Sequence, residues 1–293
     1  MLDPAQLAAL AAVHRRGSFE LAAAALGVTP SAVSQRIKAL EERAGTLLIV
    51  RGQPSAATEA GLRLIRHHDE VALLETALAQ DLPSVASATA TVRIAVNADS
   101  LATWFLPALA QAPGPLWDLV IDDQDWSEGW LRRGEVAAAV TGSPGPLQGC
   151  DTHPLGHQRY RATASPAFMP RWFPDCVTAE ALAKAPALTF NPKDRLQHAW
   201  IAARTGGQPL AFPFHHIASP EGFVTACLLG IGWSMNAEPL VAGHLKAGRL
   251  VELVPHTPLD VALYWQVSRL AASALAPLTR AVRGAARERL VQR

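Results

Sequence analysis

The chain has 293 residues, with 26 Lys and Arg against 25 Asp and Glu for a net charge of +1; it is 49% apolar and 17% charged. At about 150 residues per domain this length predicts two domains, and the low charge content excludes a disordered acidic or basic tail protein. With so small a net charge, nucleic-acid binding would need a local basic face, because the whole-molecule field is close to zero.

Cys150, Cys176 and Cys227 form no Cys-x-x-Cys pair and are too few for a disulfide framework, which predicts a reducing compartment. The N-terminus runs into a helical pattern without a basic region, a long apolar run or a cleavage site, and no window of 18 apolar residues exists. A cytoplasmic protein that does not contact the membrane is expected.

In chain order, Leu7, Leu10, Ala11 and Val13 predict one apolar helix face, which Gly17 ends. Ser18 is placed to cap a second helix through Leu21, Ala22, Ala25 and Leu26. Gly27-Val28-Thr29 is a turn, Thr29 the cap of a third helix and Pro30 its first residue, where a missing N–H costs nothing. Val33, Ile37 and Leu40 share that helix's buried face, so Ser31, Ser34, Gln35 and Lys38 face elsewhere. Leu47 to Arg51 and Ala57-Thr58 read as two short strands joined by Gly52-Gln53-Pro54-Ser55. Together these elements predict a winged helix-turn-helix over 1–58, with the wing carrying Arg51 to the DNA backbone or minor groove.

A long helix follows from Glu59 to about Gln80, within a linker segment, 59–90, that ends in a small, polar stretch. Leu62, Ile65, Leu73 and Leu74 are too many apolar groups for a lone solvated helix, and packing on a partner helix is expected, with packing on the chain's own first domain as the alternative. Paired helices would set two recognition helices on a dyad-symmetric DNA site.

From Thr91 the pattern becomes α/β, with strands at 91–96, 117–122, 135–140, 187–190, 213–218, 231–235 and 261–265 alternating with helices, and a C-terminal helix over 271–291. Two such series predict two lobes, 91–160 with 266–293 and 161–265, and a ligand cleft at the carboxyl ends of their strands. Asp99 and Ser100 lie where a strand passes into a helix, and the free N–H groups there suit a carboxylate. Ser100 or Thr103 could hold an α-carboxylate while Asp99 takes an ammonium. Asp122, Asp123 and Asp125 end the next strand at the same edge. Seven acids against Arg132 and Arg133 between Asp99 and Glu135 favour a cationic ligand. Asp194, Ser219 and Glu221 sit at helix starts in the second lobe; each is either an ordinary cap or first-turn group, or faces the cleft.

The run from Gly17 to Glu41, GSFELAAAALGVTPSAVSQRIKALE, strongly resembles the winged helix-turn-helix of LysR-type transcriptional regulators, and the order of domains is also theirs. The stretch Ala95 to Pro107, with Leu131 to Val136 and Glu221 to Val224, resembles the ArgP or LysG subgroup. This resemblance implies an effector domain of periplasmic-binding-protein type and a response to lysine, arginine or histidine. It further implies an activator of a basic amino-acid exporter gene, a homodimer that can pair into tetramers, and RNA polymerase as a partner in the bacterial cytosol. Pro30, Ser31, Ser34 and Gln35 are then expected at base edges, with Arg36, Lys38 and Arg51 at phosphates and Ser18, Thr29 and Thr58 beside them.

No catalytic motif is present: Gly-x-Ser-x-Gly, Gly-x-Gly-x-x-Gly and a phosphate loop are all missing. The pairs His67-His68 and His215-His216 are not spaced to share an ion. The chain is therefore read as neither an enzyme nor a metal or cofactor protein. The alternative reading is a LysR-type regulator of another small metabolite; a solute-binding protein is the rival from another class, and it leaves 1–80 unexplained.

Overall fold

The structure, a computed structural model, describes residues 2–81, 90–112, 115–124 and 127–292. Most of the expected linker stretch, and Asp125, lie outside the described residues.

The N-terminal unit comprises α1 (Pro4–Arg16), α2 (Phe19–Leu26), α3 (Pro30–Ala44) and a hairpin of β1 (Ile49–Val50) and β2 (Ala56–Ala57). Asp3, Ser18 and Thr29 cap the three helices through their side-chain oxygens. Gly17 ends α1 at φ +69°, and a Cβ there would stand 2.8 Å from the Pro54 Cβ, so glycine is needed both for the turn and for the wing's approach. The Ser55 N–H donates to the Gly17 carbonyl at 2.8 Å, and the Glu41 carboxylate accepts the Leu48 N–H at 2.8 Å. These bonds fix the hairpin against the helices. Leu10, Val13, Val33, Ile37, Leu40 and Leu48 form the core beneath them.

Next comes α4 (Glu59–Asp81). Thr58 starts it, its hydroxyl donating to the Leu47 carbonyl at 2.8 Å and accepting the Gly61 N–H at 3.1 Å. The three leucines and one isoleucine expected on a partner helix do not share one environment. Ile65 is buried in the N-terminal core, Leu73 is buried in the core of the first α/β lobe, and Leu62 is half-buried. The alternative of packing within the chain therefore holds for Ile65, and Leu73 is covered by the effector domain. What the helix leaves exposed is Leu74, with Val71 three residues before it and Leu78 four after. That spacing is one helical face.

The second unit begins with β3 (Thr91–Val96), a helical stretch made of α5 (Ala98–Ser100), a π-turn (Leu101–Phe105) and α6 (Leu106–Ala110), then β4 (Leu116–Ile121), α7 (Ser127–Arg132) and β5 (Ala138–Thr141). The long β6 (Cys150–Ala164) leaves this lobe for the next, which holds α8 (Phe168–Trp172), α9 (Ala179–Leu182), β7 (Ala187–Thr189), α10 (Leu196–Arg204), β8 (Phe214–His216), α11 (Pro220–Leu228), β9 (Ser234–Ala237), α12 (Glu238–Lys246) and β10 (Val251–Glu252). The chain returns along β11 (Leu259–Ser268) and ends in α13 (Arg269–Ala272) and α14 (Ala276–Arg289).

Strand order in the large sheet is β10-β6-β11-β5-β3-β4, with β9 also on β6, while β7 and β8 pair separately. β3 is parallel to β4 and β5, as a βαβαβ unit requires, and β11 is antiparallel to both β5 and β6. β6 and β11 thus belong to both lobes. The lobe boundaries expected at 160/161 and 265/266 fall inside these two strands, and the separation is instead one of cores. Leu155, Leu263 and Trp265 join the first lobe's core with Val92, Trp104, Phe105 and Val282, whereas Tyr160 and Ala162 join the second with Trp200, Trp233 and Met235.

Candidate functional site

Where β3 ends, Asn97 and Ser100 are buried, and the Asn97 amide atoms, the Ser100 hydroxyl and the Trp104 indole N–H have no partner. A buried polar atom left unpaired costs about 1–3 kcal/mol, a cost that a polar ligand or a water relieves. The π-turn loosens the helix just here, an irregularity found often at binding sites. Thr103, expected beside Ser100, donates its hydroxyl to the Asp99 carbonyl at 2.6 Å and is committed to the helix as it stands.

Asp99 lies between Asn97 and Ser100, in the first turn of α5. The Tyr160 hydroxyl, from the strand that joins the lobes, donates to its Oδ2 at 2.9 Å. Withdrawal from water pushes the Asp99 carboxyl up to about 7; the Tyr160 bond opposes this, and the charges of Asp194, Asp123 and Glu221 add to it. Burial, then the Asp99 charge, raise the Tyr160 phenol well above its usual range, so it stays a donor. Three other acids singled out in the sequence, one from the same lobe and two from the other, therefore act on Asp99.

Asp122 and Ser219 already have hydrogen-bond partners within the chain. Asp122 accepts the Trp130 indole N–H at 2.9 Å, its neighbour's N–H at 2.9 Å and the Lys193 ammonium at 3.3 Å. Against the effect of burial, these bonds hold its carboxyl below the usual range. It ties the two lobes together across the cleft, with its carboxylate already engaged. Ser219 accepts the Gly222 N–H at 3.0 Å and is the cap of α11. Asp194 is buried and accepts the Phe190 and Leu196 N–H groups at 2.9 and 3.0 Å, so it organises the start of α10 while lending its charge to the cleft. Glu221 is exposed in the first turn of α11. Tyr160 and Lys193 were not singled out in the sequence. The alternation of Arg159 and Arg161 with buried Tyr160 and Ala162 is the signal that would have placed Tyr160 on an inward strand face.

On the N-terminal unit, Pro30, Ser31, Gln35 and Lys38 are exposed along α3, and Ser34 and Arg36 are half-exposed. Arg51 is exposed in the wing with its guanidinium over the Phe19 ring at 5.1 Å. Ser18, Thr29 and Thr58 have their hydroxyls in helix-start bonds, which positions α2, α3 and α4. The outward row of α3 beside a basic wing is the geometry of major-groove reading with backbone support. Among the described residues no helix is long and apolar enough to cross a membrane, and no three His, Cys, Asp or Glu side chains are grouped to hold a metal.

Comparison with known proteins gives two family matches: "Bacterial regulatory helix-turn-helix protein, lysR family" over residues 4–62, and "LysR substrate binding domain" over residues 86–290. The chain is 45% identical over 286 residues to the HTH-type transcriptional regulator LysG of Mycobacterium tuberculosis, covering 97% of this chain and 94% of that one. The crystal structure of ArgP from Mycobacterium tuberculosis superposes with a TM-score of 0.80 at 43% identity, covering 100% of both chains. Full-length LysG from Corynebacterium glutamicum with bound effector Arg superposes with a TM-score of 0.67 at 37% identity, covering 99% of this chain and 100% of that one. Members of this family bind DNA and are not enzymes. On its fold, its two family matches and its similarity to ArgP and LysG along almost its whole length, the chain belongs to the LysR family of transcriptional regulators.

Proposed function

We propose that this regulator senses a basic amino acid, arginine or lysine ahead of histidine, in the cleft between its lobes. The observation that carries the reading is the Asp99 carboxylate, held by Tyr160 and acted on by the charges of Asp123 from its own lobe and of Asp194 and Glu221 from the other. A cation brought into such a cleft loses water and regains compensation from carboxylates, whereas an anion would be repelled. The unpaired Ser100 hydroxyl and Asn97 amide suit the ligand's α-carboxylate, and Asp99 and Asp123 its ammonium groups. The effector Arg in the Corynebacterium glutamicum relative supports the same ligand class.

In this reading the protein is a cytoplasmic homodimer, able to pair into tetramers, that binds double-stranded DNA of dyad symmetry and activates a basic amino-acid exporter gene with RNA polymerase. Pro30, Ser31, Ser34 and Gln35 reach base edges; Arg36, Lys38 and Arg51 meet phosphates. The exposed stripe of Val71, Leu74 and Leu78 on α4 is the dimer contact. A thermal-shift panel of the twenty common amino acids tests the ligand: arginine and lysine should raise Tm, and a shift confined to acidic or apolar amino acids would overturn the assignment.

A further inference from the structure

We infer that the second lobe carries another ligand site, separate from the cleft, that takes a small organic anion with an apolar body. β6 passes the cleft at Tyr160 and ends at Ala164, and Ser165 follows at the far end of the lobe, roughly 16 Å on at about 3.3 Å per residue. There a cavity of about 560 Å³ is lined by Ser165, Phe168, Arg171, Leu229, Gly230 and Arg249. Small-molecule sites occupy about 300–1,000 Å³ and combine an apolar wall with a few convergent polar groups.

The polar groups here are cationic or donating. Arg171 from α8 and Arg249 from the turn before β10 are both exposed, and neither has an acidic partner among the described residues. By contrast Arg159 and Arg161 of the same lobe are paired with Asp260, Glu238 and Glu252. Arg171 lies over the Trp172 ring at 5.3 Å, and Arg249 donates its Nε–H to His244 Nδ1 at 3.1 Å. Each guanidinium keeps terminal N–H donors for a carboxylate or phosphate, the groups its fork matches.

Lining the same cavity is Ser165, buried, with a hydroxyl that has no partner. Gly230 faces it: at φ +73°, a Cβ would stand 3.4 Å from the Ser165 Oγ and narrow the cavity. Near the end of α11 the Thr225, Ala226 and Cys227 carbonyls accept the N–H groups of Leu229, Ile231 and Gly230 at 3.0 Å. For the apolar body, Phe168 forms a buried wall, and Leu229, 72% exposed, is the most exposed large apolar side chain among the described residues. The cleft's charge is the opposite, so arginine and lysine are excluded from this second site and organic anions from the first.

Calorimetric titration of the full-length protein with hexanoate, phenylacetate and phenyl phosphate, alongside inorganic phosphate, tests the assignment. At least one of the three organic anions should bind once per chain, more tightly than inorganic phosphate and unaffected by saturating arginine or by Asp99→Asn. Replacing both arginines, Arg171→Ala with Arg249→Ala, should weaken it at least tenfold, and Ser165→Ala several-fold. The site is overturned if none of the three binds, if the double variant binds them as tightly as the native protein, if arginine displaces them, or if inorganic phosphate binds as well as they do.

Discussion

Raising the pH from 6 to 8 should tighten arginine binding about tenfold, and Asp99 is the group responsible. Its carboxyl, with a pKa pushed up to about 7 by burial, is ionised in roughly one molecule in eleven at pH 6 and ten in eleven at pH 8. A cationic ligand binds the ionised form, so affinity rises through pH 7 and levels off above about 8, with about half a proton released per ligand at pH 7. Tyr160→Phe removes the bond that opposes the upward shift and should move the midpoint to higher pH. Asp99→Asn should abolish the dependence. The same linkage acts on stability with a fixed sign: the folded pKa lies above the unfolded one, so this group's contribution is full below about 4 and is lost as pH rises through about 7. Ligand-free Asp99→Asn should therefore gain Tm over the native protein at pH 8 and show no gain at pH 4. Calorimetry in two buffers of different ionisation enthalpy reads the proton release. Affinity that is flat between pH 6 and 8, or a pH dependence that survives Asp99→Asn, would refute the reasoning.

Other expectations follow from the same contacts. Lys193→Ala removes the bond from Lys193 to Asp122 and should weaken arginine binding several-fold while leaving operator affinity without effector unchanged, as titration of both ligands would read. Gln35→Ala should relax sequence preference, and Arg51→Ala should weaken all duplexes and flatten the salt dependence; equal losses of Gln35→Ala on operator and random DNA would deny it a base contact. Leu73→Ala and Ile65→Ala should each cost about 2–5 kcal/mol in denaturant unfolding because both are core groups, whereas Leu74→Lys with Leu78→Lys should lower the mass in light scattering at little cost in chain stability. Thr58→Ala should cost about 1 kcal/mol through loss of the α4 cap.

The N-terminal unit was legible because its signals are local. Gly17 after an apolar face, Ser18 and Thr29 as caps and Pro30 at a first helical position mark boundaries without reference to anything distant. The first half of β6 was not legible, because Pro154 and Gly156 read as breakers; in the sheet they flank the register shift opposite Leu263 and Tyr264, where an interrupted ladder tolerates them. Nor did the pattern reveal α12 and β10. On α4 the spacing of Ile65 and Leu73 shows that they are buried and is silent about what covers them; here each packs into a different core of its own chain.

For the cleft, residue type and position make Asp99, Asp123, Asp194 and Glu221 candidates, since acids at strand ends and helix starts lie toward one edge of an α/β sheet. Their division of labour was hidden. The engagement of Asp122 depends on Lys193, 71 residues later, and that of Asp99 on Tyr160, 61 residues later. Ser219 and Thr103 were candidates by type, and only the hydrogen bonds reveal that the helices already use their hydroxyls.

The central claim is that the cleft selects a cationic amino-acid side chain, and calorimetry of full-length protein at pH 8 with arginine and lysine against their uncharged isosteres citrulline and 2-aminoheptanoate tests it most directly. The carboxylates around Asp99 predict that arginine or lysine binds at least tenfold more tightly than its isostere, with the difference lost in Asp123→Asn combined with Asp99→Asn. Citrulline binding as tightly as arginine, together with 2-aminoheptanoate as tightly as lysine, would contradict it.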